Sequence, residues 1–311
     1  MSSGNVCSIA GAVLVAVVWG LSFLFTKGLL DYLSPFQLLG LRFALAALSL
    51  TLLVSLRLVR INIKAEHLPP LLKVAIWQPV LYFIFETYGV KLTTASESGV
   101  VIALAPIAIT LLSIIILGER TTWAQGAFIA AAVAGVVLMT LGGTVSEAGT
   151  RPGHLLGILM LLGAVIAAGF YNIYSRQAAS RFSPLEITFV MMWLGAVVFN
   201  AIGLVQSYFS GSLPGYFSAI QNITVVGGLF YLGILSSVVA FFLLNFALSS
   251  MPASRVAVFL NLIPVVALLA GVTLYGERLG PWQLAGCSLV LLGVWGTNYF
   301  AIKPGKENLS V

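Results

Sequence analysis

The sequence has very little charge. Only 8% of its 311 residues are Asp, Glu, Lys or Arg, whereas a soluble domain carries about 25% of these residues. A chain with so few charges cannot cover a water-facing surface. Its 60% of hydrophobic residues predicts that lipid is its main solvent. The composition therefore excludes an ordinary soluble domain and predicts an all-α membrane protein.

Cysteine and histidine are also scarce. Cys7 and Cys287 form no CxxC pair and provide no disulfide framework, and His67 and His154 lie at loop positions without other metal-binding residues. We therefore predict no metal site, no cofactor and no catalytic constellation of a nucleophile with a base. The phosphate loop of ATP-hydrolysing proteins, GxxxxGKS or GxxxxGKT, does not occur. The net charge of +6 comes from scattered Lys and Arg without a basic face, so no nucleic-acid partner is predicted.

Long apolar runs fill most of the chain. A membrane-spanning helix needs about 20 mostly apolar residues. The first run is followed by Lys27 and has no small-residue cleavage site, so we interpret it as a retained span rather than a signal peptide. Ten segments satisfy the requirement: 6–27, 35–57, 69–90, 95–117, 122–142, 154–176, 184–207, 222–246, 253–275 and 280–302.

The distribution of Lys and Arg predicts the orientation of these spans, because positive residues favour cytoplasmic loops. With both termini in the cytoplasm, ten of the fifteen Lys and Arg residues lie inside, four lie outside, and Arg42 remains within a span. The four outer residues are Lys27, Lys91, Arg151 and Arg278.

The two parts of the chain repeat one another. The repeats divide it into residues 1–147 and 148–311, each with five predicted spans. An odd number of spans puts the second half upside down relative to the first, an arrangement shared by many secondary transporters. Duplication without a transport role is the alternative. The recurring pairs, at offsets of 149 and then 158 positions, include Gly20 with Gly169, Ser34-Pro35 with Ser183-Pro184, Ala95-Ser96 with Ala253-Ser254, Pro106 with Pro264, and Gly118-Glu119-Arg120 with Gly276-Glu277-Arg278.

These repeated residues belong to a wider pattern. The pattern consists of Trp19-Gly20-x-Ser22-Phe23, Lys27, Pro35, Leu41-Arg42-Phe43, Pro106 and Gly118-Glu119-Arg120 in the first half, and Gly169, Arg176, Pro184, Pro264 and Gly276-Glu277-Arg278 in the second. Over nearly the whole chain it resembles the EamA type of the drug/metabolite transporter superfamily, and within that family it looks most similar to the YddG-like amino-acid exporters. The resemblance implies a ten-helix transporter of the bacterial inner membrane, with a central cavity between two halves. The second half departs from the pattern at Ala168 and Met191, which match Trp19 and Arg42.

Three polar residues in the third predicted span recur at four-residue spacing. Gln78, Tyr82 and Glu86 would share one face of a continuous helix. A polar stripe that faces lipid is costly, so this face should point to the protein interior. There it would orient a substrate headgroup, or it would only form hydrogen bonds between packed helices.

Arg42 and Glu86 are the two charges most clearly inside predicted spans. Buried ionisable groups usually pair, and the predicted topology puts these two at comparable depth. The alternative is that Arg42 extends alone to the membrane surface while Glu86 pairs with Lys91.

Residues in other spans complete the predicted substrate site. An asparagine inside lipid must find a partner, which is either substrate or another helix. Together with the third span, these residues predict a mixed polar and aromatic cavity suited to small zwitterions. They are Trp19, Ser22, Tyr171, Asn172, Asn245 and Asn261.

Pro106 and Pro264 lie in the middle of the fourth and ninth predicted spans. Proline removes one helix hydrogen bond, and paired interruptions in the two halves are typical of a transport site. We predict that both prolines bend their helices where these line the cavity. A static kink and a moving hinge are both left open.

The sequence as a whole predicts a secondary transporter of a small solute, most specifically an exporter of amino acids, surrounded by membrane lipid. Three alternatives remain: a carrier for another solute such as a drug, nucleotide sugar or other metabolite, a membrane-embedded enzyme that acts on lipid-linked substrate, and a channel, for which no charge ring or filter is visible. Small residues in spans five and ten, such as Gly135, Gly286 and Gly293, predict a scaffold or a homodimer contact.

Overall fold

The computed structural model describes residues 3–117, 122–145, 153–178, 180–211, 213, 216, 218–244 and 259–300. Within these ranges, side chains are described except at 3–8, 113–114, 116–117, 142–145 and 176. All regular structure in this part of the chain is helical, which confirms the predicted all-α class.

Twelve α-helices are labelled here in chain order. They are α1 (Ser3–Leu29), α2 (Pro35–Ser55), α3 (Leu68–Ala75), α4 (Tyr82–Leu92), α5 (Ala95–Ile102), α6 (Ala105–Leu117), α7 (Trp123–Val145), α8 (His154–Ala178), α9 (Pro184–Phe209), α10 (Ile223–Phe230), α11 (Leu262–Leu274) and α12 (Pro281–Tyr299). A π-helical segment, Ile76–Leu81, joins α3 to α4, and a second, Tyr231–Val239, continues α10. Short 3-10 helices lie at Ala65–His67 and Ser218–Gln221.

Eight helical stretches among the described residues are long and apolar enough to cross a membrane. They coincide with the first eight predicted spans. The ninth is described only as α11 and the end of the helix before it, because residues 245–258 lie outside the described ranges. The tenth coincides with α12. A multi-pass membrane protein is therefore confirmed, while the count of ten spans stays a prediction.

The repeated Ser-Pro sequence starts one long helix in each half. Ser34 and Ser183 are the N-caps of α2 and α9, each followed by a proline at the first helical position and each part of a capping box. In the second half, Glu186 accepts the Ser183 backbone N–H at 2.8 Å. Serine satisfies free N–H groups at a helix start and proline needs no partner there, so the same dipeptide produces the same helix start twice.

The fifth helices of the two halves, α7 and α12, pack closely and run antiparallel. A Cβ atom on Gly135 would lie 2.8 Å from both the Gly286 carbonyl oxygen and the Val290 amide nitrogen. A Cβ on Gly293 would lie 2.7 Å from the Phe128 carbonyl oxygen. Later residues in α7 thus contact earlier residues in α12. The predicted small-residue contact exists, and it joins the two halves of one chain.

Contacts between the halves recur in repeat-related pairs. Gly20 in α1 lies against Val266 in α11, since a Cβ on Gly20 would come within 2.6 Å of the Val266 Cβ. Its repeat partner Gly169 in α8 lies against Ala108 in α6, and Ala108 precedes Val266 by the offset of 158 found in the sequence. Such exchange of partners is the pattern expected of a two-fold relation between two similar units.

The connection between the seventh and eighth spans packs back against α9 through Tyr216. Helix α9 ends at Phe209 and α10 begins at Ile223. Between them, Tyr216 folds back and its hydroxyl donates to Asn200 Oδ1 at 3.2 Å. Burial raises the pKa of Tyr216 to about 12, so this hydroxyl keeps its proton and remains a donor near neutral pH.

Candidate functional site

A cavity of about 820 Å³ lies between the two halves. It is lined mainly by α1, α2, α4, α6, α8, α9 and α11, together with the two π-helical segments. All the described members of the predicted site line it: Trp19, Ser22, Arg42, Gln78, Tyr82, Glu86, Pro106, Tyr171, Asn172, Asn261 and Pro264. Asn245 lies outside the described residues. This placement brings the predicted residues together, while their contact with substrate stays a prediction.

The third predicted span is not a continuous helix. Gln78 has an extended backbone, with φ −145° and ψ 117°, inside the π-helical segment, and Pro79 follows it. The prediction that Gln78, Tyr82 and Glu86 share a face of one helix was wrong in this respect, because the helix is broken at Gln78. Only Tyr82 and Glu86 keep the four-residue spacing within α4. The break nevertheless leaves Gln78 on the cavity wall.

Arg42 lies deep inside the protein rather than at its surface, with only 3% of the residue exposed. Its Nε donates to Ser237 Oγ at 3.2 Å and its Nη2 to Ser236 Oγ at 3.4 Å. Its guanidinium carbon lies 4.5 Å from the centre of the Phe83 ring, within cation–π range. The alternative in which Arg42 extends to the membrane surface is therefore wrong.

Glu86 is equally buried, with 3% of the residue exposed. Its Oε2 accepts the Thr87 hydroxyl at 3.1 Å. Among the described residues, no ion pair within 4.0 Å joins Glu86 to Arg42 or to Lys91. Neither predicted pairing forms in this structure. Two opposite charges therefore face the same cavity without touching each other.

Trp19 and Ser236 connect the first span to the second π-helical segment. The indole Nε1 of Trp19 donates to the Ser236 carbonyl oxygen at 3.0 Å, and the Ser22 hydroxyl donates to the Trp19 carbonyl oxygen at 2.6 Å. Extra residues in π-helical turns frequently occur at functional sites. Here, the carbonyl oxygen of Ser236 accepts a hydrogen bond from Trp19, and its hydroxyl oxygen accepts one from Arg42.

The polar residues from the second half are less enclosed. The Asn172 side-chain amide donates to the carbonyl oxygen of Ala168, one turn earlier in α8, at 2.9 Å. Asn172 is an exposed residue that lines the cavity. Asn261 lies at a turn immediately before α11. Both asparagines line the cavity, while their contact with a ligand stays a prediction.

The two prolines mark helix interruptions. Helix α5 ends at Ile102, and α6 begins at Ala105 with Pro106 as its second residue. In the second half, a turn at Asn261 precedes α11, with Pro264 as its third residue. Proline fits the first turn of a helix, where no intrahelical N–H bond is lost. Whether the interruptions move stays a prediction.

One end of the cavity, called the Lys27 end, is held by hydrogen bonds between helix ends. The Lys27 ammonium group donates to the carbonyl oxygens of Val90, Lys91 and Thr93 at the C-terminal end of α4. Glu277, beyond α11, accepts the backbone N–H groups of Ala95 and Ser96 at 2.7 and 3.0 Å. The Gly-Glu-Arg sequence at 276–278 thus caps the start of α5 in the other half. Its repeat partner at 118–120 lies outside the described residues.

A buried carboxylate reinforces the Lys27 end. Glu97, with 1% exposure, accepts the side-chain amide of Gln283 at 2.9 Å and lies 3.2 Å from His154 Nε2. It also caps the start of α5 through the Thr94 N–H at 3.1 Å. Helices α5, α8 and α12 therefore meet at one carboxylate, which explains His154 as a structural residue.

Sequence reasoning missed three residues that shape the charged part of the cavity. Ser236 and Ser237 hold Arg42, and Phe83 lies beneath its guanidinium group. The adjacent serines were a usable signal, because two neighbouring hydroxyls interrupt an otherwise apolar span. Among the described residues, no group of three His, Cys, Asp or Glu side chains is arranged to hold a metal ion.

The sequence matches transporters over nearly its whole length. The model of the EamA-like transporter family matches it twice, at residues 7–141 and 155–299. An uncharacterized transporter, YcxC of Bacillus subtilis (strain 168), is 33% identical over 95% of this chain and 94% of the relative. A probable amino-acid metabolite efflux pump of Escherichia coli (strain K12) is 26% identical over 95% of each. A protein of known crystal structure shares the fold with a TM-score of 0.58 at 20% identity, over 95% of this chain and 96% of that one.

Proposed function

The chain belongs to the EamA-like transporter family, and we propose that it is a secondary transporter that exports amino acids or related metabolites by alternating access. The observation that carries this proposal is the 820 Å³ cavity between the halves. Ligand sites typically have volumes of about 300–1,000 Å³ and a few polar groups on a mostly apolar wall. The name of the Escherichia coli relative, an amino-acid metabolite efflux pump, supports the substrate class.

The arrangement of the halves supports alternating access. The antiparallel contact of α7 with α12 and the exchange of partners between Gly20 and Gly169 are what an inverted repeat requires. We propose ten spans, five in each half, in the bacterial inner membrane with both termini in the cytoplasm. In this topology the Lys27 end is the outer end, and its hydrogen bonds belong to a state closed to the outside.

Purified protein in liposomes tests the function. Vesicles loaded with one unlabelled amino acid should take up the same radiolabelled amino acid by counterflow, with saturation, because a carrier returns loaded from each side. Linear uptake without saturation would contradict a carrier and indicate a channel. Counterflow only with a drug or a nucleotide sugar would keep the carrier and overturn the amino-acid substrate.

The orientation is tested separately with reporters fused after Val311. A reporter that is active only in the cytoplasm should work at this position, because the positive residues favour that side. Activity of a periplasm-specific reporter there would contradict the proposed topology.

A further inference from the structure

The cavity contains two buried opposite charges whose direct contacts are with neutral groups. Arg42 contacts two serine hydroxyls and a phenylalanine ring, and Glu86 contacts one threonine hydroxyl. Hydroxyl groups compensate a buried charge less well than an opposite charge does. Arg42 and Glu86 also attract each other, but they lie more than 4.0 Å apart and form no ion pair. Both side chains face the cavity, so a ligand that fills it can bring a closer opposite charge to each of them.

We propose that Arg42 and Glu86 bind the two charged ends of a zwitterionic α-amino acid, Arg42 the carboxylate and Glu86 the ammonium group. This inference rests on the proposed amino-acid transport and adds the residues that recognise the substrate class.

The guanidinium group of Arg42 is held in a fixed orientation. Ser236 and Ser237 engage Nη2 and Nε, while Phe83 lies on one face of the group. Arginine carries five N–H donors in a planar fork that matches a carboxylate. The Nη1 group makes no hydrogen bond to a described residue. Donors therefore remain for a carboxylate from the cavity, and little side-chain freedom is left to lose on binding.

Glu86 has the complementary capacity. A carboxylate can accept about four hydrogen bonds, and only the Thr87 hydroxyl is bound, at Oε2. Oε1 accepts no hydrogen bond from a described residue. An ammonium group has three donors and the opposite charge, which makes it a suitable partner for these free acceptor positions.

The pair also predicts which amino acids are preferred. One positive and one negative group make this part of the cavity neutral overall, so a ligand with one charge of each sign leaves no charge unpaired. An amine without a carboxylate would leave Arg42 unpaired, and a carboxylate without an amine would leave Glu86 unpaired. A site built for a polar group discriminates strongly against an analogue that lacks it. Amino acids with neutral side chains are the expected substrates.

Binding of a matched set of ligands to matched variants tests the proposal. The set consists of an amino acid that the wild-type protein binds, its amide and the corresponding acid without the amino group. For leucine, these are leucine, leucinamide and 4-methylpentanoate. The variants are Arg42→Gln, Arg42→Lys and Glu86→Gln, and dissociation constants are measured on monodisperse protein.

Wild-type protein should bind leucine about 10- to 100-fold more tightly than either analogue, the range expected for a hydrogen bond to a charged group. Arg42→Gln should remove the preference over leucinamide and keep the preference over 4-methylpentanoate. Glu86→Gln should do the reverse. Arg42→Lys keeps the charge without the fork and should fall between wild type and Arg42→Gln.

Two surface variants serve as controls. Lys73→Gln removes a cation that lies 4.4 Å from the Tyr174 ring at an exposed position, and Glu66→Gln removes an exposed carboxylate. Neither residue lines the cavity, and neither change should alter the ligand preferences.

The outcomes separate the two proposals. If wild-type protein neither binds nor transports any of the common amino acids, the proposed function fails and this inference with it. If it transports leucine but binds leucinamide equally well, only this inference fails. That wild-type comparison remains decisive even if Arg42→Gln does not fold. An equal loss of affinity for all three ligands in Arg42→Gln would show that Arg42 only stabilises the structure, which would also overturn the inference.

Discussion

The two halves of the chain agree where they pack and differ where they face the cavity. At the packing contacts, Gly20 and Gly169 keep the same residue, and Gly135 and Gly293 do so as well. At the cavity, the first half supplies Arg42 and Glu86, whereas the described lining residues of the second half are uncharged. A close contact between helices tolerates only a few small residue types. A binding site for an asymmetric solute, in contrast, requires different side chains on its two sides.

The third spans of the two halves illustrate this difference. Both contain a π-helical segment, at Ile76–Leu81 and at Tyr231–Val239. The first turns Gln78 to the cavity wall and leads into Tyr82 and Glu86. The second presents serine hydroxyls to Arg42. The two halves thus share a π-helical segment in the third span, but the segment positions different side chains in each half.

The largest effect is expected where the halves are alike. Gly286→Val should destabilise the protein by about 3 kcal/mol through overpacking, because its Cβ would lie 2.6 Å from the Gly135 carbonyl oxygen and from the Met139 nitrogen. Backbone atoms there cannot move aside. Gly227→Val is the matched control, since a Cβ at Gly227 has no neighbour within 4 Å. Thermal unfolding in detergent measures both, and equal stability of the two variants would contradict the close contact.

A medium effect is expected where the halves differ. Tyr82→Ala removes an aromatic ring from the cavity wall and should reduce flux per folded molecule about tenfold, the equivalent of one aromatic contact. Tyr231→Phe instead removes a hydrogen bond to the Val18 carbonyl oxygen. It should cost about 1 kcal/mol of stability and spare flux.

Flux normalised to monodisperse protein, measured beside unfolding temperature, distinguishes these results. A Tyr82→Ala variant that loses stability but transports normally would mean that Tyr82 only packs. Normal flux in a variant with both Gln78 and Tyr82 changed to alanine would show that these two residues have no direct role in substrate binding.

The smallest effect is expected at the paired prolines. Pro106→Ala and Pro264→Ala each restore an N–H that can extend a helix across its interruption. If the interruptions adjust during transport, each change should slow flux about threefold, as expected of a hinge rather than a contact residue. Transport assays of both single variants measure this, and unchanged flux in both would identify the interruptions as static kinks.

Much of the fold could be predicted from the sequence because lipid imposes simple rules. Apolar run length predicted the first eight spans, and the recurring Ser-Pro sequence marked two corresponding helix starts. Four-residue spacing could not reveal the break at Gln78, because that spacing assumes a continuous helix. Pro79 is the local signal of this break, because a proline disfavours the helical conformation of the residue before it.

The charged residues were the least predictable part of the site. Sequence placed Arg42 and Glu86 inside spans but left two kinds of pairing open, and the structure shows neither. The partners of Arg42 are hydroxyls almost 200 positions away, at separations of 194 and 195 residues. No local pattern connects such distant residues, since their contact depends on how α2 packs against the second π-helical segment.

The link from Arg42 to Ser236 and Ser237 has a consequence for how such a chain can be assembled. A pair of identical five-helix chains would carry either two arginines at these related positions or none, because symmetry copies every residue. Two arginines in one small cavity would repel each other. A cavity without an arginine would leave the serines without their charged partner. Joining the halves into a single polypeptide lets one copy keep arginine while the other has Met191. Fusion of the two halves thereby allows an asymmetric binding pocket to form within a nearly symmetric arrangement of helices.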